Sequence, residues 1–190
     1  MKSIKPNNIV TISEKITVKM RLYSEGEVAK HIGHYPEYGH NKVTNTLCGV
    51  MGEFAVRQLY RVGGCEARQT LKGHEPDLIV PDVCGNGGQR LEEVKSWQSG
   101  YSWDRFGKTI RITHADDYHA KGRDRVWFCE VDIMNRTVIV HGWVSTADIV
   151  SSIIITTDGP YGGENHLVEV LNKVDEVMAW IEPVYDTGWW

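Results

Sequence analysis

The chain has 190 residues, of which 41% are hydrophobic and 24% charged, with a formal net charge of −4. That is the size of about one domain; it is too apolar for a disordered chain, and no apolar run nears the roughly 18 residues of a membrane span. The opening Met1-Lys2-Ser3-Ile4-Lys5-Pro6 is basic but has no apolar stretch behind it, which argues against a secretory signal and predicts a cytoplasmic protein with no membrane partner.

Residues 9–20 (IVTISEKITVKM) alternate loosely, as a strand or hairpin arm does. Ser24-Glu25-Gly26-Glu27 has the spacing of a capping box and predicts the start of a short helix. The Gly/His/Pro-rich stretch 33–42 reads as a loop. A strong helix is predicted from Thr46 to Val62, where Leu47, Val50, Met51, Phe54, Ala55 and Leu59 keep near-3.6 spacing and Gly63-Gly64 stops it. Three short strands follow, at 65–70, 77–81 and 90–97, with the Gly-rich run at 85–88 as the turn of a hairpin. Thr113 is placed to cap a short helix ending near Lys121. Segments 126–133 and 137–143 are the most β-like, joined by a turn at Met134-Asn135-Arg136. Ser145 or Thr146 opens another short helix. Finally Leu167, Leu171, Val174, Met178 and Ile181 step 4-3-4-3, predicting an amphipathic C-terminal helix over about 164–182. The order predicts one α/β domain with a core at about 46–145 and an extension at 1–45.

Cys48, Cys65, Cys84 and Cys129 include no CxxC pair, which argues against a zinc ribbon or redox motif and predicts buried, reduced thiols. His31, His34 and His40 raise a histidine metal site, but no HxxxH spacing accompanies them. The charge is uneven. From Asp158 to Trp190 seven acids face Lys173 alone, a local −6, so the rest of the chain carries +2. A modestly basic body is compatible with phosphate binding.

The chemistry concentrates in Glu53, Asp77, Glu93 and Lys95. Glu93-Val94-Lys95 is the only acid-x-Lys triplet, a pattern that composition alone supplies about once, so its setting carries the weight. On a strand, residues two apart share a face, so Glu93 and Lys95 project together while Val94 faces away. Glu92 is the competing carboxylate, one register step off; only Glu93 shares a face with Lys95. Asp77 follows Pro76 at the start of the preceding apolar strand, and Glu53 lies in the helix before it. Clustered carboxylates suit a hard divalent cation such as Mg²⁺, with Mn²⁺ as a substitute, held by one or two acids, waters and a substrate phosphate. Asp77 and Glu93 are the candidate ligands, the Val94 carbonyl a third, and Glu53 a holder of a metal-bound water or of a second ion. Lys95 is placed to position or activate the attacking water.

This ordered set, Glu53 in GVMGEFAVRQLY, Asp77 in EPDLIV, and Glu93 with Lys95 in LEEVKSW, resembles the PD-(D/E)xK nuclease superfamily. The likeness spans about residues 46–145, and over 52–96 the chain looks like archaeal Holliday-junction resolvases and some phage nucleases. It implies a restriction-endonuclease-like αβββαβ core with a central mixed sheet, and Mg²⁺-dependent hydrolysis of phosphodiesters, with DNA (duplex, branched or single-stranded) as partner. The 45-residue N-terminal extension departs from compact resolvases and leaves the branched substrate open.

Gln98, with Ser96 and Trp97, follows the lysine strand and could reach a scissile phosphate or a base. Arg111, His114, Tyr118 and Lys121, with Arg123 and Arg125 nearby, are candidates for phosphate contacts. Trp127, Trp143 and Trp180 read as core, whereas Trp97 and Trp103 could stack on unpaired bases. A homodimer would supply two sites for cutting two strands. The competing reading is a catalytically inactive nuclease fold that binds nucleic acid or assembles with it; a third is action on RNA.

Overall fold

A computed structural model of the chain describes residues 8–31, 39–70, 75–81, 88–157 and 163–168. The fold is mixed α/β. A short strand β1 (Ile9–Thr11) leads into two helices, α1 (Glu14–His31) and α2 (Gly39–Val62). Then come β2 (Arg68–Gln69), β3 (Leu78–Pro81), β4 (Gln89–Gln98), α3 (Tyr101–Phe106), β5 (Thr109–Arg111) and α4 (Ile112–Ala120). The remainder is β6 (Arg125–Asp132), β7 (Thr137–Ser145), α5 (Thr146–Val150), β8 (Ile153–Thr157) and β9 (Gly163–Leu167).

The main sheet has the order β1-β7-β6-β4-β3-β2, and its β4–β6 contact is parallel while the other pairs are antiparallel. A small sheet, β5-β9-β8, stands apart. Two apolar clusters flank the main sheet. On one face α1 and α2 bury Met20, Leu47, Met51, Phe54 and Leu59 against Leu78, Val94, Trp127 and Val140. On the other, Ile110, Ala115 and Ile149 close over Val126, Phe128 and Val144. This alternation is the period of two on β6, whose Trp127 and Phe128 are both fully buried but on opposite faces.

The helix predicted at 46–62 extends back to Gly39. Its C-terminus is a full Schellman stop: Cys65 N donates to Tyr60 O at 2.8 Å, Gly64 N to Arg61 O at 2.9 Å, and Gly64 sits at φ 76°. The hairpin of β3 and β4, the β6–β7 pair, and the helix opened by Ser145, whose Oγ accepts from Asp148 N at 3.0 Å, form as the sequence indicates.

Several expectations are corrected. Residues 14–20 are helix, not a hairpin arm; only Ile9–Thr11 pair as strand, against β7. Ser24 caps nothing: it lies inside α1, where its buried hydroxyl donates back to Met20 O at 2.8 Å. Within the strand predicted at 65–70 only Arg68 and Gln69 pair. The helix near 113–121 begins at Ile112, with no side-chain cap bond. Residues 163–167 are strand β9, not the start of the C-terminal helix: Leu167 fits the apolar series but pairs with Thr109 and Ile153. The rest of that predicted helix, with Trp180, lies outside the described residues, as do the glycine turn at 85–87, Cys84, His34 and the side chains of His31 and His40. Cys48, Cys65 and Cys129 are free and buried, as expected. No helix among the described residues is long and apolar enough to cross a membrane.

The approach of α2 to the sheet depends on Gly52. A Cβ there would lie 1.9 Å from Ser96 Oγ and 3.0 Å from Ser96 Cβ. Overpacking of this kind typically costs about 1–3 kcal/mol. Gly52→Ala is therefore expected to lower the unfolding midpoint in denaturant titration and to displace the adjacent Glu53; adding Ser96→Gly should restore much of the loss.

Candidate active site

β4 carries two adjacent glutamates to opposite destinations. Glu92 faces α2 and is fully buried; its carboxylate accepts from Tyr60 Oη at 2.7 and 3.0 Å, Trp127 Nε1 at 2.7 Å and Arg90 Nε at 3.2 Å. Burial and the neighbouring Glu92 charge raise the Tyr60 hydroxyl, keeping it a donor. Glu92 is thus structural. Tyr60→Phe should cost about 1–3 kcal/mol, the typical penalty of a lost partner at a buried polar group, read as a lower denaturation midpoint.

Glu93 faces away from α2. Its Oε1 accepts from Arg123 Nε at 2.7 Å, and both side chains are almost fully buried. Arg123 is itself fixed. Its N donates to Tyr118 O at 2.9 Å and its carbonyl accepts from Thr146 Oγ1 at 2.5 Å.

The open edge of β4 makes the site. β3 pairs with residues 89–92 of β4 and begins only at Leu78, so no strand covers that edge at Val94 among the described residues. The Asp77 carboxylate takes its place, accepting from Val94 N at 2.7 Å. Residue 77 is positioned from behind, since Thr70 Oγ1 donates to Pro76 O at 2.6 Å and Thr70 N to Asp77 O at 3.2 Å. In an extended strand the N–H and C=O of one residue point the same way, so the Val94 carbonyl also faces Asp77. Asp77 and Glu93 lie close enough for each carboxyl to influence the other. Glu53 approaches from α2, held by Gln69 Nε2 on β2 at 2.7 Å from its Oε2.

The charges register this crowding. Burial first, and then the Asp77 charge, push Glu53 up to about 8, and the same two causes push Glu93 up to about 7. Asp77 is raised by burial, against the pull of its Val94 hydrogen bond and of Lys95. Burial would lower Lys95, but its hydrogen bond and charge contact with Tyr118 and the charges of Asp77 and Glu93 outweigh it, leaving the ammonium raised. Lys95 Nζ lies 5.0 Å over the Tyr118 ring. Three acids thus lie near two cations, Lys95 and Arg123, and all three hold protons better than a carboxylate in water does.

The structure accordingly gathers all four of Glu53, Asp77, Glu93 and Lys95. Their donors fit a hard divalent ion: two neighbouring carboxylates and the Val94 carbonyl, all oxygen, with like charges that a cation would relieve. Among the described residues no group of three or more His, Cys, Asp or Glu side chains is drawn tightly enough to hold an ion by itself. Magnesium asks less, one or two carboxylates with waters.

Beside Lys95 a cleft of about 520 Å³ opens, framed by α2, β4, α3, β5, α4 and β9. It reaches Gln98, Arg111 and His114, three of the predicted nucleic-acid contacts, and no acidic side chain lines it among the described residues. Burial first, then Lys95 and Arg111, lower the His114 ring pKa, so it is neutral near pH 7. Tyr118 lies behind Lys95 rather than in the cleft wall. Lys121 is turned away in an exposed pair with Asp117 at 2.7 Å. Arg123 is spent on Glu93, and Arg125 lies 3.8 Å over the Trp143 ring, so neither is a phosphate ligand in this arrangement. Trp103 stacks on His141 at 4.1 Å, whereas Trp97 lines the cleft against Phe106 at 5.4 Å.

Sequence reasoning missed Gln69, the Arg123–Glu93 pair and Asn165 of β9, which reaches the cleft. No local spacing signals them, because each joins elements distant along the chain. Comparison with protein-family models, curated proteins and solved structures gives no match in any of the three.

Proposed function

We propose that the protein is a Mg²⁺-dependent nuclease, most simply a DNA endonuclease with a restriction-endonuclease-like core. The supporting observation is the convergence of Asp77, Glu93, Glu53 and Lys95 at a strand edge that, among the described residues, is uncovered and opens beside a cleft with no acidic lining. The chain order of helix, short strands, hairpin strand, crossover and parallel strand agrees with the αβββαβ expectation.

Asp77 and Glu93, with the Val94 carbonyl, would hold the ion, and Glu53 a water of its shell. Bound there, Mg²⁺ supplies a lowered pKa to a coordinated water and neutralises charge on a phosphoryl oxygen. Lys95 stays protonated, so it orients and stabilises a hydroxide or a developing oxyanion rather than removing a proton. Arg111 at the cleft steers the polyanion, and Gln98 and His114 offer hydrogen bonds. The Arg123 clamp fixes the Glu93 rotamer.

That same clamp favours the second reading, a non-catalytic nucleic-acid binder, because it already neutralises one ligand. Plasmid, single-stranded and branched DNA, and RNA, incubated with Mg²⁺, Mn²⁺ or EDTA separate the readings. Metal-dependent cutting is expected; binding without cutting selects the binder.

A further inference from the structure

We infer that the cleft beside Lys95 is a pocket for a single unstacked nucleotide, so that the substrate presents an unpaired or flipped base next to the scissile phosphate. The inference rests on the nuclease reading and names its substrate class. Glu93, Lys95 and Trp97 share one face of β4, and each two-residue step covers about 6.6 Å. Acid, cation and aromatic ring therefore follow one another in the order in which ion, phosphate and base would lie.

The volume of about 520 Å³ belongs to the scale of small-molecule sites, roughly 300–1,000 Å³. It suits one nucleotide and not a stretch of duplex. The wall supplies what a base requires. Trp97, tilted against the buried Phe106, offers an aromatic surface. Asn165 is buried and fixed, both amide hydrogens being taken, by Thr157 Oγ1 at 2.9 Å and by Gly163 O at 2.7 Å, so its remaining capacity is as an acceptor. The strand edge adds backbone groups. Val94 N points to the uncovered side, and by the two-residue repeat the N–H and C=O of Ser96 and Gln98 point there also. Donors, an oriented acceptor and an aromatic face in one recess are the means by which extruded bases are held.

Oligonucleotides carrying 2-aminopurine, scanned one position at a time and bound to the full chain in Ca²⁺, report unstacking without cleavage. A fluorescence change confined to one position is expected. In Mg²⁺, duplexes with a one-nucleotide bulge should be cut about ten-fold or more faster than intact duplexes, the lower range of base–aromatic stacking. Trp97→Leu should erase that preference, and the exposed Gln98→Ala, which leaves the packing untouched, should weaken it. Cutting of every substrate at equal rates, with a flat fluorescence scan, overturns the pocket alone. Absence of metal-dependent cutting on any DNA or RNA overturns the nuclease reading and this inference with it.

Discussion

Lys95→Ala and Asp77→Asn are each expected to abolish metal-dependent cleavage while leaving the fold in place. Lys95 lies over the Tyr118 ring and within the charge field of Asp77 and Glu93. Losing one pre-positioned donor to developing charge costs on the order of 10²–10³ in rate, and Lys95→Arg should rescue little because a planar guanidinium does not reproduce a point charge. Asp77→Asn keeps the acceptor for Val94 N but loses the charge that an ion requires. Asp77→Asn is isosteric and opens no void. For Asp77→Asn the stability effect should even run the other way, since relieving one of three crowded acids should raise the melting temperature of the metal-free protein, whereas Lys95→Ala removes a counter-charge from those acids and should lower it. Cleavage assays beside circular dichroism and thermal melts check both halves. Either variant cutting at the wild-type rate would remove the proposed site.

The second large effect is a pH dependence of stability that a divalent ion reverses. Glu53 and Glu93 rise from an ordinary 4.5 to about 8 and about 7, with Asp77 raised too. An acid whose pKa is higher folded than unfolded binds more protons in the native state, so stability is greatest below the unfolded value and falls as pH climbs through the folded one. Metal-free protein is therefore expected to lose several kcal/mol of stability between about pH 4.5 and 8, the two Glu53 values, since one pKa unit corresponds to about 1.4 kcal/mol. Binding of Mn²⁺ should restore about 2.7 kcal/mol at a concentration 100-fold above its dissociation constant, and its affinity should fall at acid pH as protons compete for the carboxylates. Thermal melts in EDTA and in Mn²⁺ across this range measure both. A melting temperature independent of pH and of metal would contradict the crowded-acid description.

What the sequence made legible follows from the range of each interaction. Helix α2 and the two hairpins announce themselves because their apolar periods and glycine stops are local. The opposite fates of Glu92 and Glu93 also follow from the strand period of two, which placed only Glu93 with Lys95. Helix α1 was misread: Ile9 to Met20 alternates well enough for a strand, and Ser24-Glu25-Gly26-Glu27 has capping spacing, yet packing against α2 carries the helix straight through. Leu167 fits a helical series because its neighbours beyond it do, while its pairing with β5 and β8 overrides the pattern. The Arg123–Glu93 ion pair joins positions 30 apart and Gln69 meets Glu53 across 16, so their side chains betray nothing in the linear order. Phosphate contacts inferred from a run of basic residues suffered most, since Arg123, Arg125 and Lys121 each have an intramolecular use.

The parallel contact of β4 with β6 sets when the centre can assemble. Antiparallel neighbours zip from a tight turn, but a parallel neighbour must wait until the intervening thirty or so residues have wrapped across the sheet. Arg123 arrives at Glu93 only with that late closure. Mutual repulsion among the acids therefore weighs little on the rate of refolding and falls chiefly on the rate at which the native molecule comes apart. A bound ion would act as a latch on the finished protein, prolonging its lifetime without hastening its birth.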